Sequence, residues 1–428
     1  MPYQLKSSLF DLILCISDAV DLISPYVADH HRRVAYLSFQ LGRQYGLPLQ
    51  RCKDLAIAAA LHDIGAISLS ERLDMLNFET EKSMNHSEVG YLLISGLQSF
   101  TRAAEIVRFH HTYWADGAGS SSMGLPVPVE SHILHLADRV SVLVEPRQEV
   151  LSQVKGILTR VKRKTGSMFM PEIVDAFFAL AEKDYLWFDL VSPSTDITLW
   201  HSLDWDVISL EGNEFLELAR FFCRLVDFKS PYTAAHSSGV AACGQALAEL
   251  AGFSLLDQRL IYLSGYLHDI GKLCVPSEIL EKPSTLSRDE YAVMRHHSYY
   301  TNHILKRVGV FENIRIWSAY HHERLDGSGY PYHLKEDELP VGSRIIAIAD
   351  VFTAITEDRP YREGLHKENV MGVLTSQANR NKLDARLVKL LGTRFEEISE
   401  LVLRAESVAM EDYRSFAERR NKFIEAVR

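Results

Sequence analysis

The chain carries one unit twice, and this repetition limits its architecture before any single residue is interpreted. His62-Asp63-Ile64-Gly65 returns as His268-Asp269-Ile270-Gly271, an offset of 206 (268 − 62). Ser24-Pro25-Tyr26 before His30 returns as Ser230-Pro231-Tyr232 before His236 at the same offset of 206. His86 is answered by His297 and His110-His111 by His321-His322, both at 211, and Leu136-Ala137-Asp138 by Ile348-Ala349-Asp350 at 212. Two small insertions account for the drift. A period this long marks a duplicated domain and not a short-repeat solenoid. The 428 residues then divide into two units of ordinary domain size, expected at 1–200 and 201–428.

Both units read as helical. Residues 55–61 and 260–267 are largely apolar runs leading into the His-Asp pair, and Leu247, Leu250 and Ala251 keep the spacing of one buried helix face. Alternating strand patterns are scarce. The exception is a pair of segments, 187–191 and 205–210, flanking a Ser-Pro-Ser-Thr-Asp turn cluster at 192–196. The linker is expected there, pairing as a short ribbon. The expected fold is therefore all-α: two helical bundles in tandem with a short β element near the junction. The basic cluster of Arg160, Lys162, Arg163 and Lys164 reads as a solvated helix face.

Charge and cysteine usage narrow the setting. A net charge of −10 argues against a coat for long nucleic acid, which needs a broad basic face. It leaves room for a small phosphate-bearing ligand held by metal ions and a few local cations. The five cysteines are scattered without a C-x-x-C pair, the usage of reduced thiols in the cytoplasm. No apolar run is long enough to span a bilayer, and the apolar stretch at 9–16 contains Asp11, a poor signal peptide.

The 18 histidines matter through their order. The C-terminal half presents His236, His268-Asp269, His297, His321-His322 and Asp350 in sequence. Imidazole and carboxylate suit borderline divalent ions, and seven such groups exceed the needs of one ion. Two ions sharing a carboxylate is the economical arrangement, with Asp269 the expected bridge. Such a pair serves phosphoester hydrolysis: ions roughly 3.5–4 Å apart lower the pKa of a shared water, neutralise the phosphate and support the departing oxygen. Lys272, three residues after Asp269, lies on the same side of a helical turn, within reach of a phosphate oxygen or the leaving group. Tyr330 sits in a Gly-Ser-Gly-Tyr-Pro loop whose glycines, Gly329 among them, let backbone approach a ligand. Arg359 and Arg362 are candidates for a phosphate clamp. A lone His-Asp or His-His pair usually means no more than a hydrogen-bonded surface or core pair; their order and repetition favour metal. His296 and His303 fall outside the repeat and read as residues behind the ligands or at the surface, Trp317 and Tyr320 as core.

These segments resemble the HD-GYP phosphodiesterases of the wider HD hydrolase superfamily. The resemblance rests on His268-Asp269-Ile270-Gly271-Lys272, on Met294-Arg295-His296-His297 and on His321-His322-Glu323-Arg324-Leu325-Asp326-Gly327-Ser328-Gly329-Tyr330-Pro331. It continues through 344–350 and Arg359-Pro360-Tyr361-Arg362. It implies a helical fold, an iron or manganese centre of two ions and hydrolysis of a cyclic dinucleotide. By the same resemblance His236, His268, Asp269, His297, His321, His322 and Asp350 are the metal ligands, Lys272 meets the substrate phosphate, and Arg324 joins the substrate contacts. Two positions depart from the family. Tyr232 stands where members with three ions place a glutamate, which favours two ions here. Thr353 stands where many members carry an aspartate that is not a core ligand.

The N-terminal copy keeps His30, His62, Asp63, His86, His110, His111 and Asp138 as a second candidate metal site. It has Ala66 in place of the lysine, Gly119-Ser120-Ser121 in place of the Gly-Tyr-Pro signature, and no arginine-proline-tyrosine-arginine segment. A structural or regulatory role is expected for it, with a packing scaffold as the alternative. The tandem layout is similar to that of bacterial 3′,3′-cyclic GMP-AMP phosphodiesterases, which implies cleavage of that substrate to linear 5′-pApG. Cyclic di-GMP, cut to pGpG, is the family default. A cyclic-dinucleotide receptor without turnover, and a module docking on a diguanylate-cyclase-type protein, stay open as alternatives.

Overall fold

The computed structural model describes residues 6–21, 29–66, 78, 84–145, 147–195, 205, 207–209, 213–227, 235–357 and 364–427. These fall into two compact units, Ser8–Ile208 with Arg420–Arg428, and Ser209–Arg419 with Met1–Ser7. In the first, helices α1 (Leu9–Asp21), α2 (His30–Tyr45), α3 (Leu49–Leu61), α4 (Met84–Ile94), α5 (Thr101–Arg108) and α6 (Val129–Leu143) precede α7 (Val150–Arg163), α8 (Pro171–Ala181) and α9 (Asp184–Val191). In the second, α10 (Asn213–Asp227), α11 (His236–Leu250), α12 (Leu255–Leu267), the one-turn α13 (Ser277–Leu280), α14 (Arg288–Leu305), α15 (Glu312–Ala319) and α16 (Val341–Thr356) lead into α17 (Lys367–Asn379), α18 (Ala385–Thr393) and the long α19 (Phe395–Val427). The helices α2 to α6 recur as α11, α12, α14, α15 and α16, so the sequence repeat is also a repeat of elements.

Local chemistry starts these helices where they are needed. Ser254 caps α12 by accepting from the Asp257 amide at 3.1 Å. At α14 the Ser287 hydroxyl accepts from the Glu290 amide at 3.2 Å while the Glu290 carboxylate accepts from the Ser287 amide at 2.7 Å, a reciprocal capping box. The central helices then bury one face each. Val240, Cys243 and Leu247 of α11 and Ile345, Ile348 and Phe352 of α16 repeat at i, i+3, i+7 and are fully buried. Each such aliphatic side chain contributes about 1.5–3 kcal/mol when withdrawn from water. Leu250 and Ala251 end that helix half-buried, so the buried face of α11 lies one turn earlier than its spacing suggested. In both units the helix bearing the first histidine (α2, α11) packs on the helix before the His-Asp pair (α3, α12) and on the helix of the last aspartate (α6, α16).

The β content is small. Strand β1 (Lys6–Ser8) pairs with β4 (Val207–Ser209), and β2 (Ser121–Ser122) pairs antiparallel with β3 (Leu125–Pro126). The expected ribbon near the linker is therefore corrected. Residues 187–191 are the end of α9, where Trp187 and Leu190 fill a helical core, and the strand at 207–209 finds its partner at the chain start. Arg160, Lys162 and Arg163 are exposed in the last turn of α7, where positive charge complements the helix dipole. No helix among the described residues is long and apolar enough to cross a membrane.

Candidate metal centre

Helix ends deliver the C-terminal cluster. His236 opens α11, His268-Asp269 follow α12, His297 lies within α14, His321-His322 follow α15, and Asp350 lies on α16. The last turn of a helix leaves carbonyls without intrahelical partners; His268 and His321 use such carbonyls three residues back, and His297 uses one within α14. His268 Nδ1 donates to Gly265 at 2.7 Å, His297 Nδ1 to Met294 at 2.7 Å and His321 Nδ1 to Ser318 at 2.6 Å. A carbonyl only accepts, so each Nδ1 carries a proton and each Nε2 is the atom turned toward the cluster. These Nε2 atoms converge on Asp269. His268 Nε2 is 3.2 Å from its Oδ2, and His297 and His321 Nε2 are 3.5 and 4.0 Å from its Oδ1. Lys272 Nζ donates to the same Oδ2 at 2.5 Å. On the other side His236 Nε2 reaches Asp350 Oδ1 at 3.1 Å and His322 Nδ1 stands 4.0 Å from Asp350 Oδ2.

The donor set suits divalent ions. His297 Nε2 and His321 Nε2 face each other at 3.3 Å, and His268 Nε2 is buried without a hydrogen-bond partner among the described residues. Cation ligation satisfies such atoms, and burial of neutral polar nitrogens without it is costly. His236, His268 and Asp350 form one set of close ligand atoms, His297, His321 and His322 a second, and His268, Asp269 and His321 a third that links them. Burial pushes the His297 imidazole down to about 4 and that of His322 to about 3, against the pull of the carboxylates, so both are neutral near pH 7 and could offer a lone pair to an ion. Burial raises Asp269, but His268 and then Lys272 outweigh it and hold the carboxyl well below the usual range.

A close approach of backbone sets this geometry. A Cβ on Gly271 would lie 2.0 Å from the His297 carbonyl oxygen, so only glycine lets the turn after Asp269 meet α14. Thr301 adds a link, accepting from the Gly271 amide at 3.1 Å and donating to the His268 carbonyl at 3.0 Å. The cluster is open on one side: 31% of the His322 side chain and 16% of that of Asp350 are exposed. The Tyr330 ring lies 4.8 Å from that of His322, with the Arg295 guanidinium 4.8 Å from its centroid. The buried Glu323 carboxylate fixes this loop by accepting from the amides of Tyr332 at 2.6 Å and Leu334 at 3.1 Å.

Sequence reasoning assigned no role to Arg295, Glu323 or Thr301, although all three lie in or near quoted segments. Glu323 directly follows His321-His322, but its residue type alone does not mark the loop that it fixes. Glu357, 3.8 Å from His236 Nδ1, was also missed. Arg324 is partly exposed on the Tyr330 loop, while Arg359 and Arg362 lie outside the described residues. His296 and His303 are exposed and Trp317 is buried.

The N-terminal cluster repeats the plan with a different finish. His62 Nδ1 donates to Ala59 at 2.8 Å and His110 Nδ1 to Val107 at 2.6 Å. His86 and His110 Nε2 lie 3.4 and 3.8 Å from Asp63 Oδ1, and His30 Nε2 lies 3.3 Å from Asp138 Oδ1. Gly65 is held as tightly as Gly271, its absent Cβ 2.1 Å from the His86 carbonyl. Ala66 leaves no cation beside Asp63 at the lysine position, and the segment replacing the Tyr330 loop is a 3₁₀ turn, Ala115–Ser120, followed by the β2–β3 hairpin.

A helical unit that assembles a His-Asp pair with further imidazoles and a distant aspartate from its helices and their ends defines the HD-domain class of metal phosphohydrolases. The family model described as HD domain matches residues 27–143, and a second model with that description matches 220–387. The chain is 30% identical to 3′3′-cGAMP-specific phosphodiesterase 1 of Vibrio cholerae over 90% of its own length and 91% of that protein. It is 34% identical to the cyclic di-GMP phosphodiesterase response regulator RpfG of Xanthomonas campestris over 42% of this chain and 48% of that one. The crystal structure of a V. cholerae cyclic GMP-AMP-specific phosphodiesterase, V-cGAP3, shares the fold with a TM-score of 0.63 at 21% identity, over 91% of this chain and 98% of that one. The chain belongs to the HD-domain phosphodiesterase family.

Proposed function

We propose that the C-terminal unit, residues 201–428, hydrolyses one phosphodiester of a cyclic dinucleotide, and that 3′,3′-cyclic GMP-AMP, opened to linear 5′-pApG, is its preferred substrate over cyclic di-GMP. The observation that carries this reading is the open face of the cluster, where His322 and Asp350 reach solvent beneath Tyr330 and beside Lys272. The likeness over nine-tenths of the chain to a 3′3′-cGAMP-specific phosphodiesterase supports the choice of substrate.

His236, His268 and Asp350 would hold one divalent ion and His297, His321 and His322 another, with Asp269 shared between them. Iron or manganese suits this mixture of nitrogen and oxygen donors. When bound, the pair supplies an acidified water and neutralises phosphate charge. Lys272 Nζ, already against Asp269, turns to donate to a phosphate oxygen as substrate enters. Tyr330, backed by Arg295, offers a ring face on which a base stacks, with Arg324, Gly329, Arg359 and Arg362 completing the contacts. The N-terminal unit, residues 1–200, is a structural or regulatory partner. Its sealed cluster and missing lysine argue against turnover there. The five scattered cysteines, with no C-x-x-C pair among them, support a cytoplasmic setting.

Product chromatography tests the proposal. The purified manganese-loaded protein is incubated separately with 3′,3′-cyclic GMP-AMP and cyclic di-GMP. Conversion of the first at the higher rate, abolished in Asp269→Ala, is the expected result. Faster conversion of cyclic di-GMP reverses the substrate assignment. Metal bound with neither substrate cut removes the enzyme reading in favour of a receptor, or of docking to a diguanylate-cyclase-type protein if that binding survives Asp269→Ala.

A further inference from the structure

The two clusters keep the same ligands but place their fixed cation differently. In the C-terminal unit the cation is Lys272, beside the shared Asp269, with 19% of its side chain exposed. The N-terminal unit has Ala66 there and instead carries Arg139 directly after Asp138, where Val351 follows Asp350. Arg139 Nε and Nη2 donate to Asp138 Oδ2 at 3.0 and 2.6 Å, and both side chains are 1% exposed. In the other unit the equivalent oxygen of Asp350 faces His322 and the opening.

The remaining N-terminal ligands gather elsewhere. Asp63, His86, His110 and His111 form one group of mutually close ligand atoms, all four residues buried. His86 Nε2 lies 3.1 Å from His111 Nε2 and 3.3 Å from His110 Nε2. These spacings match the edges of a polyhedron whose ligands sit roughly 2.0–2.2 Å from one ion. The group is closed over by aromatic rings. His135, which has Ala347 as its counterpart, lies 5.7 Å from His111 and is flanked by Tyr113 at 5.5 Å and Phe169 at 5.4 Å. Where His322 shows 31% of its side chain, His111 as a whole shows 6%.

We infer that the N-terminal unit binds a single divalent ion, on Asp63, His86, His110 and His111, and that the Arg139 guanidinium stands at Asp138 in place of a second ion. A guanidinium keeps its charge at every relevant pH and, buried with its nitrogens on the carboxylate, cannot swing aside as Lys272 can. It meets the charge of Asp138 and takes the oxygen that a second ion would need. His30 and His62 stand 3.3 and 3.7 Å from Oδ1, and His62 also lies 3.4 Å from Asp63 Oδ2, so a second ion at His30, His62 and Asp63 would lack the Asp138 oxygen that the guanidinium holds. The centre is then a structural pin for α3, α4 and α5, whatever reaction the other unit performs.

Metal counting tests this independently of turnover. The full chain, loaded with manganese(II) and freed of excess, is assayed by elemental analysis and by electron paramagnetic resonance. The expected spectrum holds one uncoupled ion per chain alongside the signal of a coupled pair. A spectrum with coupled pairs alone, or with no ion beyond the C-terminal pair, overturns the inference. His111→Ala, checked for retained helicity by circular dichroism, is expected to lower the count by one and remove the uncoupled signal; an unchanged count overturns it. Arg139→Val, which installs the residue type found after Asp350, is expected to raise the count by one and convert the uncoupled signal to a coupled one. A count that stays level in that variant removes the role assigned to Arg139.

Discussion

Lys272 donates to Asp269 at 2.5 Å yet keeps a fifth of its side chain at the surface, so it can exchange one oxyanion for another. Lys272→Ala is expected to lower kcat about 10²–10³-fold, the usual effect of losing one donor aimed at developing charge. Metal content should stay at the parental value; its loss would make the lysine structural. The identity of these residues was legible because chemistry permits few substitutes: imidazole and carboxylate in a fixed order have little other use. Arg295 and Glu323 were not legible. An arginine over a ring and a carboxylate under a loop act through a three-dimensional neighbour, and their residue types alone are common on any surface. Likewise nothing in the dipeptide Asp138-Arg139 announces a buried pair, because arginines beside aspartates are ordinarily solvated.

At the scale of elements, a glycine and a glutamate hold the helices that carry the ligands. Gly271→Ala forces a methyl group against the His297 carbonyl, so α14 must retreat with His297 and Thr301. The expected result is a loss of about 1–3 kcal/mol in urea unfolding together with weakened metal retention in the C-terminal centre; parental values for both would show that the turn can shift freely. Glu130, fully buried on α6, takes Arg51 of α3 at 2.7 Å and Arg102 of α5 at 3.2 Å. Burial raises its carboxyl, but the Arg51 hydrogen bond, a backbone hydrogen bond and the charge of Arg102 together hold it below its usual range. Glu130→Ala is expected to destabilise the N-terminal unit by about 2 kcal/mol in a denaturant titration. The figure stays below that of a fully buried pair because both arginines are over 40% exposed and can return to water. The repeat made the helix order readable from the chain. The strand partner at 6–8 was not, since a three-residue strand carries too little alternation to declare what it pairs with.

For the whole molecule, duplication has left two clusters with the same candidate ligands but different access to solvent. The exposed edges of His322 and Asp350 give water and chelator a route to the C-terminal cluster, whereas in the N-terminal cluster His111 is covered by His135, which Tyr113 and Phe169 flank. Exchange from the second centre must wait for a local opening of packed helices, a rarer event than diffusion into a cleft. A chelator added to the metal-loaded chain should therefore remove metal in two phases: a fast one that tracks loss of turnover and a slow one that tracks hydrogen exchange of α4 and α5. A single phase would mean that both centres open alike. The aromatic cover over His111 thus acts as a clock, separating an ion that trades with its surroundings from one that leaves only when its helices come apart.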